Sequence, residues 1–386
     1  MQNILDKTAI VGIGQTEFSK FSGRSELQLA AEAAKAAIDD AGLKPSDIEG
    51  MVTFTLDTND ELALQRCLGI PELRYVARGP FGGAAASATV HLAATAVASG
   101  AAKAVLIYRA FNERSGKRFG QPMVDQSGYG GFGSGPDFHV TFGLDTPAKI
   151  YALWYAHYMH RYGVTSEDLG RYSVVARANA ATNPRAWFYQ KPITLEDHQN
   201  SRWIVEPVLR LLDCCQESDG GVAIVVTSLD RARDLKQPPV RVAAATQSHQ
   251  IGGNIMWDYY RGAKVQYREA QSTARQMFAS AGITKDDIDV ALIYENFTPI
   301  ILMALEAHGF CGPGEAKDFI KDGHIALNGS IPVNTHGGLI GEAYIHGVNN
   351  ILEGVRQIRG TAANQVKDAR HVLVSASRSS MILGRA

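Results

Sequence analysis

Residues 41–54, AGLKPSDIEGMVTF, align with residues 281–294, AGITKDDIDVALIY, at a constant offset of 240 residues. Each stretch begins at the Ala-Gly end of a predicted helix and runs into a predicted buried strand, and Asp47 coincides with Asp287. A single unit of this kind needs a partner to cover its sheet and helices. The repeat therefore predicts two copies of one α/β unit, although a chance likeness over so short a stretch is the alternative.

The elements around the first stretch follow an alternating order. A buried strand at 8–18 precedes a helix that Ser25 caps and Gly42 ends. After the strand at 51–54 come the glycine-rich RGPFGG and an alanine-rich helix over about 84–99, and then the apolar run 104–108. Strands that alternate with helices predict a layered α/β domain.

The elements around the second stretch repeat this order. A strand at 239–248 and a helix at 267–281 come before the buried strand. A Gly-Gly pair at 337–338, a helix over about 344–358 and a strand at 371–377 follow it. The second copy thus echoes the Gly-Gly pair, the helix and the strand of the first copy.

An insertion rich in aromatic residues separates the copies, and a strand at 221–228 returns to the first sheet. Long insertions on a rigid core often supply the wall of a binding site. We predict an N-terminal half at 1–111, an inserted cap at 112–218, a returning segment of the N-terminal half at 219–236 and a C-terminal half at 237–386.

The composition excludes several classes of protein. The 386 residues carry 38 Lys+Arg against 39 Asp+Glu, so the chain has no basic footprint for nucleic acid. It has no secretory start and no apolar run of about 18 residues, which predicts a cytoplasmic protein without a membrane segment. Its four cysteines form no Cys-x-x-Cys pair, so we expect reduced thiols and no zinc site.

Three motifs are weak evidence for cofactor chemistry. The G-x-G-x-x-G run at 128–133 lacks the strand and helix of a dinucleotide site, so we interpret 127–135 as a mobile loop or lid. His157 and His160 could share a helical face, but no further metal ligand lies nearby. The adjacent Cys214 and Cys215 would point in opposite directions on an extended chain. We expect no metal and no cofactor.

Two segments of the second copy combine polar groups with glycine. Tyr294-Glu295-Asn296-Phe297 stands at the carboxyl end of the predicted strand 290–293, where ligands bind in α/β sheets. The segment 334–347 holds Tyr344 in a loop whose glycines allow a close approach to a ligand. Either tyrosine alone could be an amphipathic core residue, but both lying at such positions favours a site.

These motifs resemble the thiolase superfamily over nearly the whole chain. Residues 294–297 are similar to its Asn-Glu-Ala-Phe box, and residues 334–345 to its Asn-x-x-Gly-Gly to Gly-His-Pro segment, with Tyr344 at the position of the catalytic histidine. The resemblance implies a thiolase-like fold, with two pseudo-repeated αβαβα halves and an inserted helical loop domain. The insertion resembles the lipid-transfer-protein branch at Asn179, Asn183-Pro184, Pro192-Ile193-Thr194, Ser201-Arg202, Pro207, Asp213-Cys214-Cys215 and Ser218-Asp219-Gly220.

The chain departs from the family at the nucleophile. The thiolase cysteine stands at the start of the alanine-rich helix, which places Gly83 at or next to that position. No cysteine occurs between residues 68 and 213, and none follows Cys311 to act as the family's second catalytic cysteine. Covalent acyl transfer is therefore not expected.

A thiolase-like site that retains enolate stabilisation without a nucleophile suits retro-aldol cleavage of a β-hydroxyacyl-CoA. The resemblance implies a substrate of the 17-hydroxy-3-oxo-steroid 20-carboxyl-CoA type, giving a 17-ketosteroid and propionyl-CoA. It also implies a homodimer and an accessory DUF35 OB-fold protein, together a heterotetramer. CoA would enter only as part of the substrate.

We expect Tyr294 and Tyr344 to be catalytic, with Tyr344 favoured as the base because it takes the place of the family's acid–base histidine. A phenol ionises with a pKa of about 10, so forming the anion at neutral pH costs roughly 4 kcal/mol. His346 and Glu295 are candidates for a proton relay, or else structural polar groups. The residues expected to bind the substrate are Gly83, Asn296, Gly337 and Gly338.

A non-catalytic protein that binds acyl-CoA or lipid, or that acts as a scaffold, is the alternative function. The missing cysteine favours it. The retained Tyr-Glu-Asn-Phe and glycine-loop motifs oppose it.

Overall fold

The repeat predicted from the sequence is present in the structure, a computed structural model that describes residues 4–80, 82–121, 141–249 and 267–386. Each copy has a single 3-10 turn before its buried strand, at Pro45–Asp47 and at Lys285–Asp287. The strands that follow begin at Gly50 and Val290. Turn and strand therefore recur at the offset of 240 residues seen in the sequence.

The strands within the described residues are β1 Thr8–Gln15, β2 Gly50–Phe54, β3 Tyr75–Gly79, β4 Ala104–Asn112, β5 Trp203–Val205, β6 Leu209–Arg210, β7 Asp219–Ser228, β8 Val240–Gln247, β9 Val290–Ile293, β10 His371–Ser375 and β11 Ser379–Arg385. The α-helices are α1 Glu26–Ala41, α2 Glu61–Leu68, α3 Ala86–Ala98, α4 Pro147–Tyr162, α5 Ser166–Ala181, α6 Leu195–Asn200, α7 Leu229–Ala232, α8 Arg268–Ala281, α9 Pro299–Ala307, α10 Ala316–Lys321, α11 Gly338–Gly341 and α12 Val348–Arg359.

Nine of these strands form one mixed sheet in the order β3-β2-β4-β7-β1-β8-β11-β10-β9. In the first half β2 is parallel to β4, and β7 lies antiparallel between β4 and β1. In the second half β9 is parallel to β10, and β11 lies antiparallel between β10 and β8. The halves join where β1 pairs with β8, at Ala9 with Arg241 and Ile10 with Val240.

Helix α1 packs against β1 as the apolar periodicity predicted. The Ser25 hydroxyl accepts a hydrogen bond from the backbone N–H of Gln28, and Gly42 ends the helix with a left-handed φ of 72°. Gly14 lies inside β1, where a β-carbon would stand 2.2 Å from the carbonyl oxygen of Ala33. The glycine therefore allows the helix and the strand to approach closely.

The helices divide into three layers around the two halves of the sheet. Helix α1 packs on the outer face of the first half, and α9 packs on the outer face of the second. Buried residues of α3 and α12 share the central cluster between the halves. The three helix layers and the two halves of the sheet make five layers in the order α-β-α-β-α. The two halves of the molecule form them together, because each contributes one helix to the central layer.

Four differences from the sequence-based expectations concern three strands of the sheet and helix α12. Strand β4 continues to Asn112, and the returning strand β7 already begins at Asp219. Helix α12 begins at Val348, four residues later than predicted, because His346 and Gly347 have left-handed φ values of 51° and 76°. Strand β11 was not predicted.

The inserted segment contributes α4, α5 and α6 within its described part. Thr146, Thr165 and Thr194 cap the N-termini of these three helices with their hydroxyl groups. The predicted loop or lid at 127–135 lies outside the described residues. None of the helices in the described ranges is long and apolar enough to span a membrane.

Candidate active site

Two tyrosines from separate segments meet at the centre of the molecule. The hydroxyl oxygens of Tyr294 and Tyr344 are 2.8 Å apart, a hydrogen-bond distance in which either group can donate. Tyr294 directly follows β9, and its N–H donates to the carbonyl oxygen of Ser375 (2.7 Å). Tyr344 lies in the loop between α11 and α12, and its N–H donates to the hydroxyl of Ser218 (3.3 Å). The structure thus brings together the two residues that the sequence favoured as catalytic.

Gly83 lies directly against this pair. A β-carbon on Gly83 would stand 2.1 Å from Cε2 of Tyr294 and 2.7 Å from its hydroxyl oxygen. Any larger residue would therefore overlap the ring. Gly83 was expected at or next to the position of the thiolase nucleophile, and here the phenol of Tyr294 occupies the space that a side chain would need.

Both phenols are protonated at neutral pH. Burial raises the pKa of Tyr294 and that of Tyr344 well above 10. Either hydroxyl can donate the hydrogen bond that joins them, so the pair alone does not assign the base, and Tyr344 as the base stays a prediction.

His346 is buried beside the tyrosines and is held by a charged pair from the first half. Its Nδ1 accepts a hydrogen bond from Nε of Arg109 (3.0 Å), and Nη1 of Arg109 donates to Oδ2 of Asp57 (2.8 Å). Burial, and then the positive charge of Arg109, hold the pKa of His346 well below its usual 6.5. The ring is therefore neutral at pH 7.

Glu295 lies away from the cavity and holds the segment 334–347, the glycine loop, in place. Its Oε1 accepts hydrogen bonds from the hydroxyl of Tyr172 (2.9 Å) and from the N–H of Leu339 (2.7 Å). Burial raises the pKa of this carboxyl group from 4.5 to about 8. The structure thus places Glu295 as a loop anchor and does not bring it to the tyrosine pair.

The expected substrate-binding residues separate into two groups. Gly83 and Asn296 line the cavity. Gly337 and Gly338 pack elsewhere, because a β-carbon on Gly337 would stand 2.5 Å from Cβ of Ala180 and one on Gly338 would stand 1.8 Å from Oε1 of Glu295. These two glycines permit close packing of the loop rather than close approach of a ligand.

The cavity beside the tyrosines has a volume of ≈ 480 Å³ and is lined by both halves and by the insertion. Its wall includes an aromatic group formed by Phe119, Tyr151, Phe188, Tyr267, Tyr294, Phe297 and Tyr344. It also includes the cationic side chains of Lys20, Arg114, Arg118, Arg177 and Arg202. A mostly apolar cleft with a cationic part can receive a bulky hydrophobic acyl group joined to a phosphate-bearing carrier.

Sequence reasoning missed four polar residues of the site. Arg109 and Asp57 position His346, and Glu113 and Lys20 line the cavity. Burial raises the pKa of Glu113 well above 4.5, and burial lowers that of Lys20 from 10.5 to about 8. One feature of the sequence could have identified Arg109 as a candidate site residue, because it is a charged residue directly after the apolar run 104–108.

The adjacent cysteines also reach the cavity wall. Burial raises the pKa of the Cys214 and Cys215 thiols, so neither forms a thiolate readily. The N–H of Cys215 donates to the carbonyl oxygen of Asn296 (2.8 Å). All four cysteines are free thiols. Among the described residues, no three acidic, histidine or cysteine side chains cluster as metal ligands would.

Comparisons with known proteins give close relatives. Residues 258–383 match the family of thiolase C-terminal domain-like sequences. The chain is 54% identical to a steroid side-chain-cleaving aldolase of Thermomonospora curvata, with 97% of each chain covered. It is 55% identical to a 17-hydroxy-3-oxo-4-pregnene-20-carboxyl-CoA lyase of Mycobacterium tuberculosis, with 98% of this chain and 99% of that one covered. A solved structure titled Ltp2-ChsH2(DUF35) aldolase superposes with a TM-score of 0.93 at 53% identity, covering 98% of each chain.

Proposed function

Because this chain belongs to the thiolase-like family, in its sterol-carrier-protein branch, we propose that it cleaves a carbon–carbon bond of an acyl-CoA by a retro-aldol reaction. The observation that carries the proposal is the hydrogen-bonded pair of Tyr294 and Tyr344 beside Gly83. The position suited to a nucleophile is filled by a proton-handling phenol. The site can therefore move protons, and it has no nucleophile at the position that forms the thioester in thiolases.

The substrate is a β-hydroxyacyl-CoA with a steroid acyl group, of the type 17-hydroxy-3-oxo-4-pregnene-20-carboxyl-CoA. Relatives that carry this activity in their names share more than half of their residues with this chain, over nearly its entire length. The aromatic wall of the cavity suits the fused rings, and its cationic side chains suit the phosphates of CoA.

The reaction breaks one bond and moves two protons. The β-hydroxyl loses its proton to one phenolic oxygen as that phenol passes its own proton to the other, its oxygen–carbon bond becomes the ketone, and the Cα–Cβ bond breaks. The released electron pair passes through Cα to the thioester oxygen as an enolate, and a proton returned to Cα gives propionyl-CoA. The ketone leaves as a 17-ketosteroid, so atoms and charge balance without an oxidant, a metal or a further cofactor.

Tyr294 and Tyr344 form the acid–base pair of this scheme. Because both phenols have raised pKa values, the proton passes within an existing hydrogen bond instead of leaving a free phenolate in the cavity. Tyr344 keeps the position of the family's acid–base residue and is therefore the proposed base, with Tyr294 as its hydrogen-bonded partner. Exchange at Cα can decide between them, since that exchange needs only the residue that handles the α-proton.

Turnover tests the proposed function directly. The purified chain and its partner, incubated with the 17-hydroxy steroid acyl-CoA, should release 17-ketosteroid and propionyl-CoA in equal amounts. Tyr294→Phe and Tyr344→Phe should each lower kcat by at least about 10²-fold. Tyr189→Phe, on the exposed surface, should match the wild type. Tight acyl-CoA binding without product from several β-hydroxy substrates would support a carrier instead.

Deuterium uptake assigns the two phenols. Propionyl-CoA incubated with enzyme in D₂O should exchange its α-proton, because the enzyme stabilises the same enolate in reverse. The Phe variant that keeps this exchange but loses cleavage identifies the base for the β-hydroxyl group. Loss of exchange in both variants would mean that both tyrosines handle the α-proton.

We also propose the assembly that the family likeness implied. A DUF35 protein is part of the solved complex to which this chain is 53% identical. The chain would form a homodimer through β3, which lies at one edge of the nine-stranded sheet and leaves Val76 half exposed, and two DUF35 proteins would complete a heterotetramer. Light scattering of the chain alone and with its partner measures both masses, and a monomeric chain would contradict the dimer.

A further inference from the structure

Resting on the proposed retro-aldol reaction, we infer that His346 donates a hydrogen bond from Nε2–H to the substrate's thioester oxygen, and that Asp57 and Arg109 hold it in that state. The thioester oxygen carries the charge of the enolate, so a fixed donor at this position stabilises the transition state. His346 then acts as an electrophile and not as a proton relay.

The first step of the inference is the tautomer. Arg109 has only N–H groups and no acceptor, so the contact between its Nε and Nδ1 of His346 (3.0 Å) requires an unprotonated Nδ1. A neutral imidazole with its lone pair on Nδ1 carries its proton on Nε2. Among the described residues, no group hydrogen-bonds to Nε2, although the residue lines the cavity.

The second step is the position of that proton. A β-carbon on Gly82 would stand 3.1 Å from Nε2 of His346, and a β-carbon on Gly83 would stand 2.7 Å from the hydroxyl oxygen of Tyr294. The two groups therefore converge on the same corner of the cavity, at adjacent glycines. The ring of His346 also lies 5.0 Å from that of Tyr344. A thioester in this corner can meet the imidazole and the phenols together.

The third step is rigidity. His346 has a left-handed φ of 51°, a conformation that L-residues adopt infrequently. Its ring stacks on Phe111 at 5.1 Å, and the guanidinium of Arg109 lies 4.1 Å from the centre of the same phenyl ring. Asp57 is fully occupied, since Oδ1 accepts from the N–H and the side-chain amide of Asn59 (2.8 Å each) while Oδ2 accepts from Arg109. Such a strained and fully bonded arrangement fixes the donor before the substrate arrives.

Nitrogen NMR of protein labelled with ¹⁵N-histidine measures the tautomer. We expect the signal of His346, identified by its absence in His346→Gln, to show a proton on Nε2 and none on Nδ1. Adding propionyl-CoA should shift the Nε2 proton, because the thioester oxygen becomes its acceptor. A proton on Nδ1, or on both nitrogens, would overturn the inference.

Kinetics measures the effect on the reaction. His346→Ala should lower kcat by about 10²- to 10³-fold with KM changed less than threefold, and should slow α-proton exchange of propionyl-CoA in parallel. His346→Gln, which keeps an N–H donor, should recover part of the loss. His308→Gln removes another buried imidazole, on the residue after α9, and should leave kcat unchanged.

Several results separate the inference from the proposed function. No product from the wild type would contradict the retro-aldolase proposal, while the tautomer and its response to propionyl-CoA would still test His346. Normal turnover and normal α-proton exchange in folded His346→Ala would contradict the donor role alone. If His346→Ala fails to fold, Arg109→Lys gives the second measurement: loss of Nε should release the tautomer in the NMR spectrum and lower kcat.

Discussion

Gly83 and Tyr294 depend on each other, because the ring of the tyrosine lies where a side chain at residue 83 would be. The distance of 2.1 Å from an added β-carbon to Cε2 of Tyr294 is shorter than any carbon–carbon contact that proteins tolerate. A return to the nucleophile of the thiolases would therefore need two changes and not one. A side chain at residue 83 and the present position of the Tyr294 ring therefore exclude each other.

Gly83→Ala tests that pairing. The new methyl group must displace the Tyr294 ring and break its 2.8 Å contact with Tyr344, so we expect kcat for cleavage to fall at least about 10²-fold. Gly79→Ala is the matched control, because its β-carbon would meet its nearest neighbour at an ordinary 3.6 Å. Turnover within about threefold of the wild type in Gly83→Ala would contradict the steric argument.

Glu295 should make stability depend on pH. Its pKa is raised to about 8 in the folded protein against 4.5 in the unfolded chain, so between these values the folded state binds the extra proton. The contribution of Glu295 protonation to the free energy of unfolding is fully present below pH 4.5. It is lost as the pH rises toward 8, at up to about 1.4 kcal/mol per pH unit.

Urea unfolding at pH 5, 6, 7 and 8 checks this for the wild type and Glu295→Gln. The variant should show a flatter decline of the free energy of unfolding, because its amide does not titrate. Glu113 and Glu306 also have raised pKa values, but they are present in both proteins and cancel in the difference. Equal pH profiles would show that Glu295 titrates normally in the folded state.

Single elements were readable from the sequence where a local signal was strong. The cap at Ser25 and the terminating Gly42 placed α1 within one residue, and the offset of the two Ala-Gly ends identified the repeat. The motifs also predicted that Tyr294 and Tyr344 belong to one candidate site, and the two hydroxyl groups lie within hydrogen-bond distance.

Long-range geometry was not readable in the same way. Arg109 lies 237 positions from its partner His346, and Asp57 lies 52 positions from its partner Arg109. No local sequence pattern encodes contacts between residues so far apart. Gly337 and Gly338 have the composition of a ligand-binding loop, but their small size serves packing against Ala180 and Glu295. Glycine-rich composition indicates that the backbone approaches other atoms closely. It does not indicate whether those atoms belong to a ligand or to the protein itself.

The glycine loop should lose activity and stability together when its packing is disturbed. Gly338→Ala places a methyl group 1.8 Å from Oε1 of Glu295, at a left-handed φ of 64°. Gly360→Ala has a similar φ of 74° and nothing within 4 Å, so it isolates the backbone strain of about 1 kcal/mol. Gly338→Ala should cost about 2 kcal/mol or more beyond that control.

Urea unfolding measures the two free energies, and turnover measures the consequence for Tyr344 and His346, which lie in the same loop. We expect Gly360→Ala to keep its kcat and Gly338→Ala to lose most of it. Equal destabilisation in the two variants would mean that Glu295 moves aside at no cost.

The whole molecule assembles one cavity from three separate parts of the chain. The first half supplies Lys20 and Gly83, the second supplies the tyrosines, and the insertion closes the wall with residues such as Glu113 and Arg177. Asn183 of the insertion donates to the carbonyl oxygen of His336 (3.0 Å), so the cap also braces the glycine loop. Although the formal net charge of the chain is −1, more cationic than anionic side chains line this cavity.

That local charge predicts how the acyl-CoA is held. Arg177 and Arg202 line the cavity from the insertion, and neither forms an ion pair among the described residues. Arg177 donates a hydrogen bond to the carbonyl oxygen of Lys191 (2.6 Å) and lies over the ring of Phe188. A cation without a carboxylate partner can pair with a phosphate of CoA without first breaking an ion pair. Arg202→Gln and Arg177→Gln should therefore raise KM about tenfold each while kcat stays near the wild-type value.

Arg171→Gln is the matched control, since Arg171 lies on the same helix as Arg177 but pairs with Glu167 (3.4 Å). Steady-state kinetics at increasing salt gives an independent readout: the wild-type KM should rise with ionic strength, and the rise should be smaller in Arg202→Gln, because one screened attraction has been removed. A fall in kcat with unchanged KM would instead place these arginines in the chemical step, which we propose to be carried by the tyrosine pair and His346.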